Sequence, residues 1–209
     1  INITRSRFAN NQSIARLPSP LIVADRTYIH DSEFVNNQRF SRLLSSQNDG
    51  NSITIHNSNF LNNSVTEIVI HTASISVSYG ACSLRISNSR FRDNQSEYAI
   101  LTAIGRELCI PCTIENSELS DNQSRTSTCR GIIRTYGKPF EIHNSTISNN
   151  IGCQAAVHAE GTDHFLTIDN SIIWGNRPPT PTGAYRQLSG ISSSSSTVTN
   201  NLIEGGYLG

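Results

Sequence analysis

Four ionisable residues fall at spacings that could cleave a sugar chain: Glu115, Glu141, His143 and Asp169. Two carboxyl groups flanking a glycosidic bond can act as general acid and general base, and their separation sets the stereochemical outcome. Glu115, His143 and Asp169 each stand two residues before a recurring serine, and Glu141 lies two residues before His143. Residues two apart on an extended chain share a face, so all four are expected on one outward surface. If successive copies pair as strands, Glu115 and Asp169 have backbones roughly 9–10 Å apart, near the upper end for an inverting pair. A lyase would also want an arginine or lysine base beside a calcium-binding acidic cluster. Lys138 is the only lysine, and Arg134 is the nearest plausible arginine. The plainer reading of the same residues is a solvated column in which an imidazole screens two carboxylates.

Other polar groups are weaker pointers. His30 and His56 occupy one place in two successive copies. A metal site needs a third ligand converging on them and none is evident, so they read as solvated neighbours and no metal or cofactor is implied. His158, Glu160, Asp163 and His164 form a polar cluster that could hold a cation or a sugar, or simply be a loop. Arg7 with Glu33, and Arg90 with Glu118, are expected to form exposed ion pairs, each worth little. Sequons at Asn2, Asn11, Asn62, Asn94, Asn122 and Asn144 look like glycosylation signals. They read as a by-product of asparagine meeting a serine-rich repeat.

What positions these residues is the repeat itself. One serine recurs as Ser6, Ser32, Ser58, Ser89, Ser117, Ser145 and Ser171, with Asn201 in the eighth place. Three residues before it stand Ile3, Ile29, Ile55, Ile86, Ile114, Ile142, Ile168 and Val198. Two after it stand Phe8, Phe34, Phe60 and Phe91, then Leu119, Ile147, Ile173 and Ile203. Five after it stand Asn11, Asn37, Asn63, Asn94, Asn122, Asn150 and Asn176, then Gly206. Apolar residues two apart are strand alternation, and the Asn-Ser pair interrupts it with a residue that tolerates a left-handed bend. A second β-rich segment follows in most copies, such as Ile68-Val69-Ile70, Ile100-Leu101 and Ile132-Ile133. No amphipathic helix fits a chain dominated by Ser, Asn and β-branched residues.

The expected fold is all-β: a single-stranded, right-handed parallel β-helix of about eight coils. Residues of one column then stack at the strand-pairing distance of about 4.8 Å. The phenylalanines become a ring stack, and the asparagines become amide ladders like those of stacked cross-β segments. Residues 1–209 read as one such domain. The stretch 177–196, with three prolines and the run Ser192–Ser196, reads as a Pro/Ser-rich loop within the last coil, because proline supplies no ladder hydrogen bond.

Composition narrows the function classes. The chain has 209 residues, with 16 Lys+Arg against 16 Asp+Glu. Zero net charge argues against electrostatic capture of nucleic acid or an anionic membrane. No apolar run approaches the ~18 residues of a membrane-spanning helix. Without any Met, and starting at Ile1, the sequence reads as a processed or excised segment of a longer protein.

Asn170-Ser171-Ile172-Ile173-Trp174-Gly175-Asn176, the serine-rich stretch, Val198 and Ile203-Glu204-Gly205-Gly206-Tyr207 resemble the terminal part of bacterial choice-of-anchor Q β-helix proteins. The Phe-x-x-Asn elements Phe8–Asn11, Phe34–Asn37, Phe60–Asn63 and Phe91–Asn94 are similar to repeats of chlamydial polymorphic outer-membrane proteins, without their Gly-Gly-Ala companion. The first resemblance implies a large, exported, surface-attached protein. It carries over no catalytic residue.

Register also bears on the cysteines. Cys129 and Cys153 share an offset in adjacent coils, which suits a disulfide. Cys82 and Cys109 are a second, less sure pair. Cys112 falls in an inward column and reads as a buried thiol outside any bridge; the rival reading is a local Cys109–Cys112 bridge or a redox Cys-x-x-Cys, which would want an adjacent helix N-terminus that the sequence does not show. Such bridges fit an extracellular location. The functional expectation is a noncatalytic cell-surface rod: a stalk, adhesin or filament segment. Neither end shows an obvious polar cap, so association through the coil ends is expected of it. Partners would be a second copy, a surface polysaccharide or another cell's surface. The alternatives are a polysaccharide lyase or hydrolase, or a carbohydrate-binding module, using Glu115, Glu141, His143 and Asp169.

Overall fold

At the two corners that flank the second strand of each copy, one residue adopts a left-handed backbone. The computed structural model describes residues 1–14, 17–46, 52–73, 83–104, 111–125, 131–137, 139–152, 154–160, 165–179, 185–190 and 196–205. Directly before each anchor position, Arg5, Asp31, Asn57, Asn88, Asn116, Asn144, Asn170 and Asn200 have φ between 47 and 56°. Directly before each ladder asparagine, Asn10, Asn36, Asn62, Asp93, Asp121 and Asn149 have φ between 52 and 58°, and Gly175 has 68°. Asn, Asp and Gly adopt this region at lower cost than other residues. The sequence therefore places two corners in every copy.

Between corners run short parallel strands on three sides. The first side stacks Asn2–Thr4, Arg26–His30, Ser52–His56, Ser83–Ser87, Cys112–Glu115, Phe140–His143, Leu166–Asp169 and Thr197–Thr199. The second stacks Arg7–Ala9, Glu33–Val35, Asn59–Leu61, Arg90–Arg92, Glu118–Ser120, Thr146–Ser148, Ile172–Trp174 and Leu202–Ile203. The third is built on Ile22–Val23, Gln38–Ser46, Ser64–Ala73, Ala99–Ile104, Ile133–Tyr136, Ala155–Glu160 and Arg186–Ser189. The fold is thus the expected all-β parallel β-helix. The number of full turns is about six rather than eight. The first coil has only the two-residue Ile22–Val23 on its third side, and the last has no third-side strand among the described residues.

The register places like on like. Ile3, Ile29, Ile55, Ile86, Ile114, Ile142, Ile168 and Val198 are successive strand partners. Phe8, Phe34, Phe60 and Phe91 stack with ring centroids 4.7–4.8 Å apart and planes within 7°. Strand spacing, rather than the preferred geometry of free aromatic pairs, sets that arrangement. On the third side consecutive residues are buried, as at Leu43-Leu44, Ile100-Leu101 and Ala156-Val157, so that side is shielded on both faces.

Two polar ladders run through the interior. Each anchor serine donates its Oγ to the carbonyl two residues back and accepts the backbone N–H of the serine one coil earlier, at 3.1 Å from Ser6–Ser32 through Ser145–Ser171. Asn201 continues this, its Oδ1 accepting from Ser171 N at 2.7 Å. The ladder asparagines from Asn37 to Asn150 are fully buried and use all four side-chain bonding positions described below. Their burial is affordable because no polar atom is left without a partner.

One expectation changes. The stretch 177–196 is not wholly loop: Arg186–Ser189 is a third-side strand pairing with Ala155–Glu160. Leu188 and Gln187 are buried there, and the flanking prolines and serines masked this short signal. Cys112 is buried in the column of Phe140, its Sγ accepting from Leu84 N at 3.4 Å. Cys82, Cys109, Cys129 and Cys153, and so both expected bridges, lie outside the described residues.

Candidate functional site

The strands of the first side place Glu115, His143 and Asp169 in one column, as strand partners in three successive coils. Glu141 stands in the neighbouring outward column, partnered with Thr113 and Thr167. The sequence-predicted group is therefore assembled on one surface. Its members are bonded locally. Glu141 Oε2 lies 3.5 Å from His143 Nε2. Asp169 Oδ1 accepts from Thr199 Oγ1 at 2.9 Å and from Asn200 Nδ2 at 3.1 Å. Glu115 is exposed. This surface is a wall of strands, and among the described residues two clefts lie along the corners beside other strands.

Arg134 is not beside these carboxylates. It sits on the third side, partnered with His158, and its Nη2 lies 2.9 Å from Glu160 Oε2. Its position in the sequence near Phe140–His143 hid the corner between them.

His30 and His56 are strand partners with ring centroids 4.8 Å apart. Their Nδ1 atoms turn to separate groups, Asp31 Oδ2 at 2.8 Å and Ser87 Oγ at 2.9 Å. Among the described residues, no group of three or more His, Cys, Asp or Glu could hold a metal ion.

The third side holds the tightest polar group. His158, nine-tenths buried, has Nδ1 2.6 Å from Ser189 Oγ and Nε2 2.8 Å from Glu160 Oε1. Burial pushes the Glu160 carboxyl up, but the hydrogen bonds and charges of Arg134 and His158 outweigh it and hold it below the ordinary glutamate range. The connectivity Ser189–His158–Glu160 is that of a hydrolase relay. Arg134 changes its character, because it already neutralises the carboxylate that would have to stabilise an imidazolium. Of the polar cluster expected from the sequence, His158 and Glu160 belong here, while Asp163 and His164 lie outside the described residues. Arg134 and Ser189 were missed, because their partnership with His158 follows third-side strands whose offsets differ from those of the anchor serine.

The far end of the asparagine ladder was also missed. Gly206 was aligned to the eighth place, yet Asn176 Nδ2 donates to Gln187 Oε1 at 2.8 Å. Glu204 Oε2 then accepts from Gln187 Nε2 and from Gly175 N, both at 2.9 Å. Gln187 and Glu204 thus take the place of an eighth asparagine at this end of the ladder, while Thr197–Thr199 and Leu202–Ile203 remain the outermost strands of their sides among the described residues. Tyr185 nearby has its hydroxyl buried, and burial followed by the Glu204 charge pushes its pKa well up.

On the second side the expected pairs form: Arg7–Glu33 at 3.1 Å and Arg90–Glu118 at 2.8 Å. A bond from Ser120, opposed by burial and helped by Arg90, lowers the Glu118 pKa. Beside them a shallow corner groove of about 580 Å³ is lined by Asn88, Asn116, Asn144, Arg90 and Glu118. A second cleft of about 260 Å³ opens at the corner between the second and third sides, lined by Arg39, Gln95, Glu97 and Arg125 among others.

The chain is a parallel β-helix, and among the described residues several outward charged groups are paired with one another, as Arg7 with Glu33, Arg90 with Glu118 and Arg42 with Glu67. No family model matches it, and no curated protein matches it. No helix among the described residues is long and apolar enough to cross a membrane, which says nothing of strands.

Proposed function

We propose that this chain is a noncatalytic structural β-helix, a rigid rod within an exported cell-surface protein, which makes its contacts through its sides. The observation that carries this reading is the commitment of Asp169 to Thr199 and Asn200 on the wall where chemistry was expected. General acid–base catalysis needs carboxyl groups free to face a substrate in a shaped cleft. The serine and asparagine ladders instead spend their polar groups on axial rigidity. The resemblance to surface-attached β-helix proteins supports export. The Gln187–Glu204 closure favours side contacts over end-to-end stacking at that end of the ladder.

Sedimentation velocity over a hundredfold concentration range tests the side-contact part. The expected result is a single elongated species with a constant sedimentation coefficient. Growing linear assemblies, visible as strings by electron microscopy, would overturn it in favour of a filament joined through the coil ends.

A further inference from the structure

Among the described residues, fifteen other than glycine have a left-handed φ, and the two corners of the repeat account for all but one. The exception is Arg39, at φ 61°. It sits where the pairing of Gln38–Ser46 with Ser64–Ala73 slips, between Gln38 and Phe40. Arginine gains nothing from this conformation, which costs an ordinary L-residue energy that Asn or Gly largely avoids. Strain kept outside the repeat's own needs points to what the side chain does. The Arg39 side chain is exposed, lines the 260 Å³ cleft, and has no ion-pair or hydrogen-bond partner among the described residues.

The cleft runs along the axis. Gln38, Ser64, Gln95 and Gln123 are partners in four successive coils, so Arg39 and Arg125 stand three coils apart. That is roughly 14 Å between their backbones. Arg125 is anchored by its N–H to Ser96 O at 2.9 Å, and its guanidinium donates to Gln95 Oε1. Between the two guanidinium groups lie the neutral donors and acceptors of Ser64, Thr66 and Gln95, and the Glu97 carboxylate. The nearby Arg42 is already paired with Glu67 at 2.7 Å.

We infer that this corner cleft binds an acidic polysaccharide, with Arg39 and Arg125 holding two anionic groups of one chain. Guanidinium groups match carboxylate and sulfate in a planar, two-point fit. The amide and hydroxyl groups between them suit the neutral hydroxyls of sugar rings. A small free anion would use only one of the two arginines, whereas the spacing along the axis fits an extended chain. The site is separate from the Glu115–Asp169 wall and needs no catalysis.

Isothermal titration of the whole chain with trigalacturonate, maltotriose and inorganic sulfate tests this. Trigalacturonate should bind, more weakly as salt rises, and at least tenfold tighter than sulfate, while maltotriose gives no heat. Arg125→Gln and Arg39→Gly should each weaken binding at least tenfold. Arg39→Gly carries its own folding control, because glycine accepts the left-handed backbone: its Tm should be equal to or above that of the parent. Absence of trigalacturonate binding, binding unchanged in both variants, or sulfate binding as tightly as trigalacturonate would each overturn the inference.

Discussion

Asn63 gives both its backbone N–H and its side-chain Nδ2–H to a single atom, Oδ1 of Asn94, at 3.1 and 2.9 Å. Its Nδ2 also donates to Phe34 O at 2.8 Å, and its own Oδ1 accepts the same two donors from Asn37. Each ladder asparagine therefore ties three consecutive coils together, and no other side chain has this shape and this donor–acceptor set.

Replacing Asn94 with alanine leaves two buried donors of Asn63 without an acceptor and takes a donor from both Phe60 O and Asn122 Oδ1. At about 1–3 kcal/mol for each buried group left unmade, Asn94→Ala should destabilise by roughly 3 kcal/mol or more in chemical denaturation. Asn94→Asp should cost more, because a carboxylate would face two acceptors. A loss below about 1 kcal/mol would show that the ladder is incidental.

The corner residues should answer to backbone conformation rather than to side-chain contacts. Asn116 is exposed with φ 48°, and its side chain makes no hydrogen bond among the described residues. Asn116→Gly should stay within about 0.5 kcal/mol of the parent, while Asn116→Val should lose about 1–2 kcal/mol. Equal thermal stability of the two variants would contradict this.

In the ring stack, Phe60 is fully buried between Phe34 and Phe91. Phe60→Ala should cost about 3–5 kcal/mol. Phe60→Leu should cost distinctly less, since Leu119 fills the same column one coil beyond Phe91. Comparable losses for both would mean that ring stacking, rather than volume, sets the core.

The columns were legible because each is a repeated position, and a repeat reads its own register. Serine, asparagine, isoleucine and phenylalanine recur at fixed offsets from one another, so the stacking of Glu115 on His143 on Asp169 followed from counting. What the repeat does not encode was harder. Arg134 and Ser189 lie where coil lengths differ, so their meeting with His158 depends on third-side strands with no fixed offset. Gln187 closes the asparagine ladder from a stretch whose prolines and serines suggested loop. Arg39 looked like any surface arginine until its backbone angle set it apart.

The buried group on the third side gives a pH prediction. Burial pushes the Glu160 carboxyl up, but the hydrogen bonds and charges of Arg134 and His158 prevail and hold it below its ordinary value of 4.5. A carboxyl depressed in the folded state contributes stability that is present above its unfolded pKa and lost as pH falls through the folded one. At pH 7, Glu160→Gln should destabilise by about 1–2 kcal/mol, less than for a fully buried pair because Arg134 and Glu160 are partly exposed, and the difference should shrink as pH falls below 4.5. A difference that is flat or grows toward acid would contradict the pairing. In the same preparation, a fluorophosphonate probe should leave Ser189 unlabelled; labelling lost in His158→Ala would make the relay a nucleophilic site.

The claim that the rod is noncatalytic is met most directly by incubating the chain with a panel of acidic and neutral polysaccharides. New reducing ends and the absorbance of unsaturated uronates would be followed over a day. No turnover above buffer is predicted, including on polymers that the Arg39–Arg125 cleft holds. Turnover that disappears in Glu115→Gln and Asp169→Asn would contradict the account and make the Glu115–His143–Asp169 column an active site.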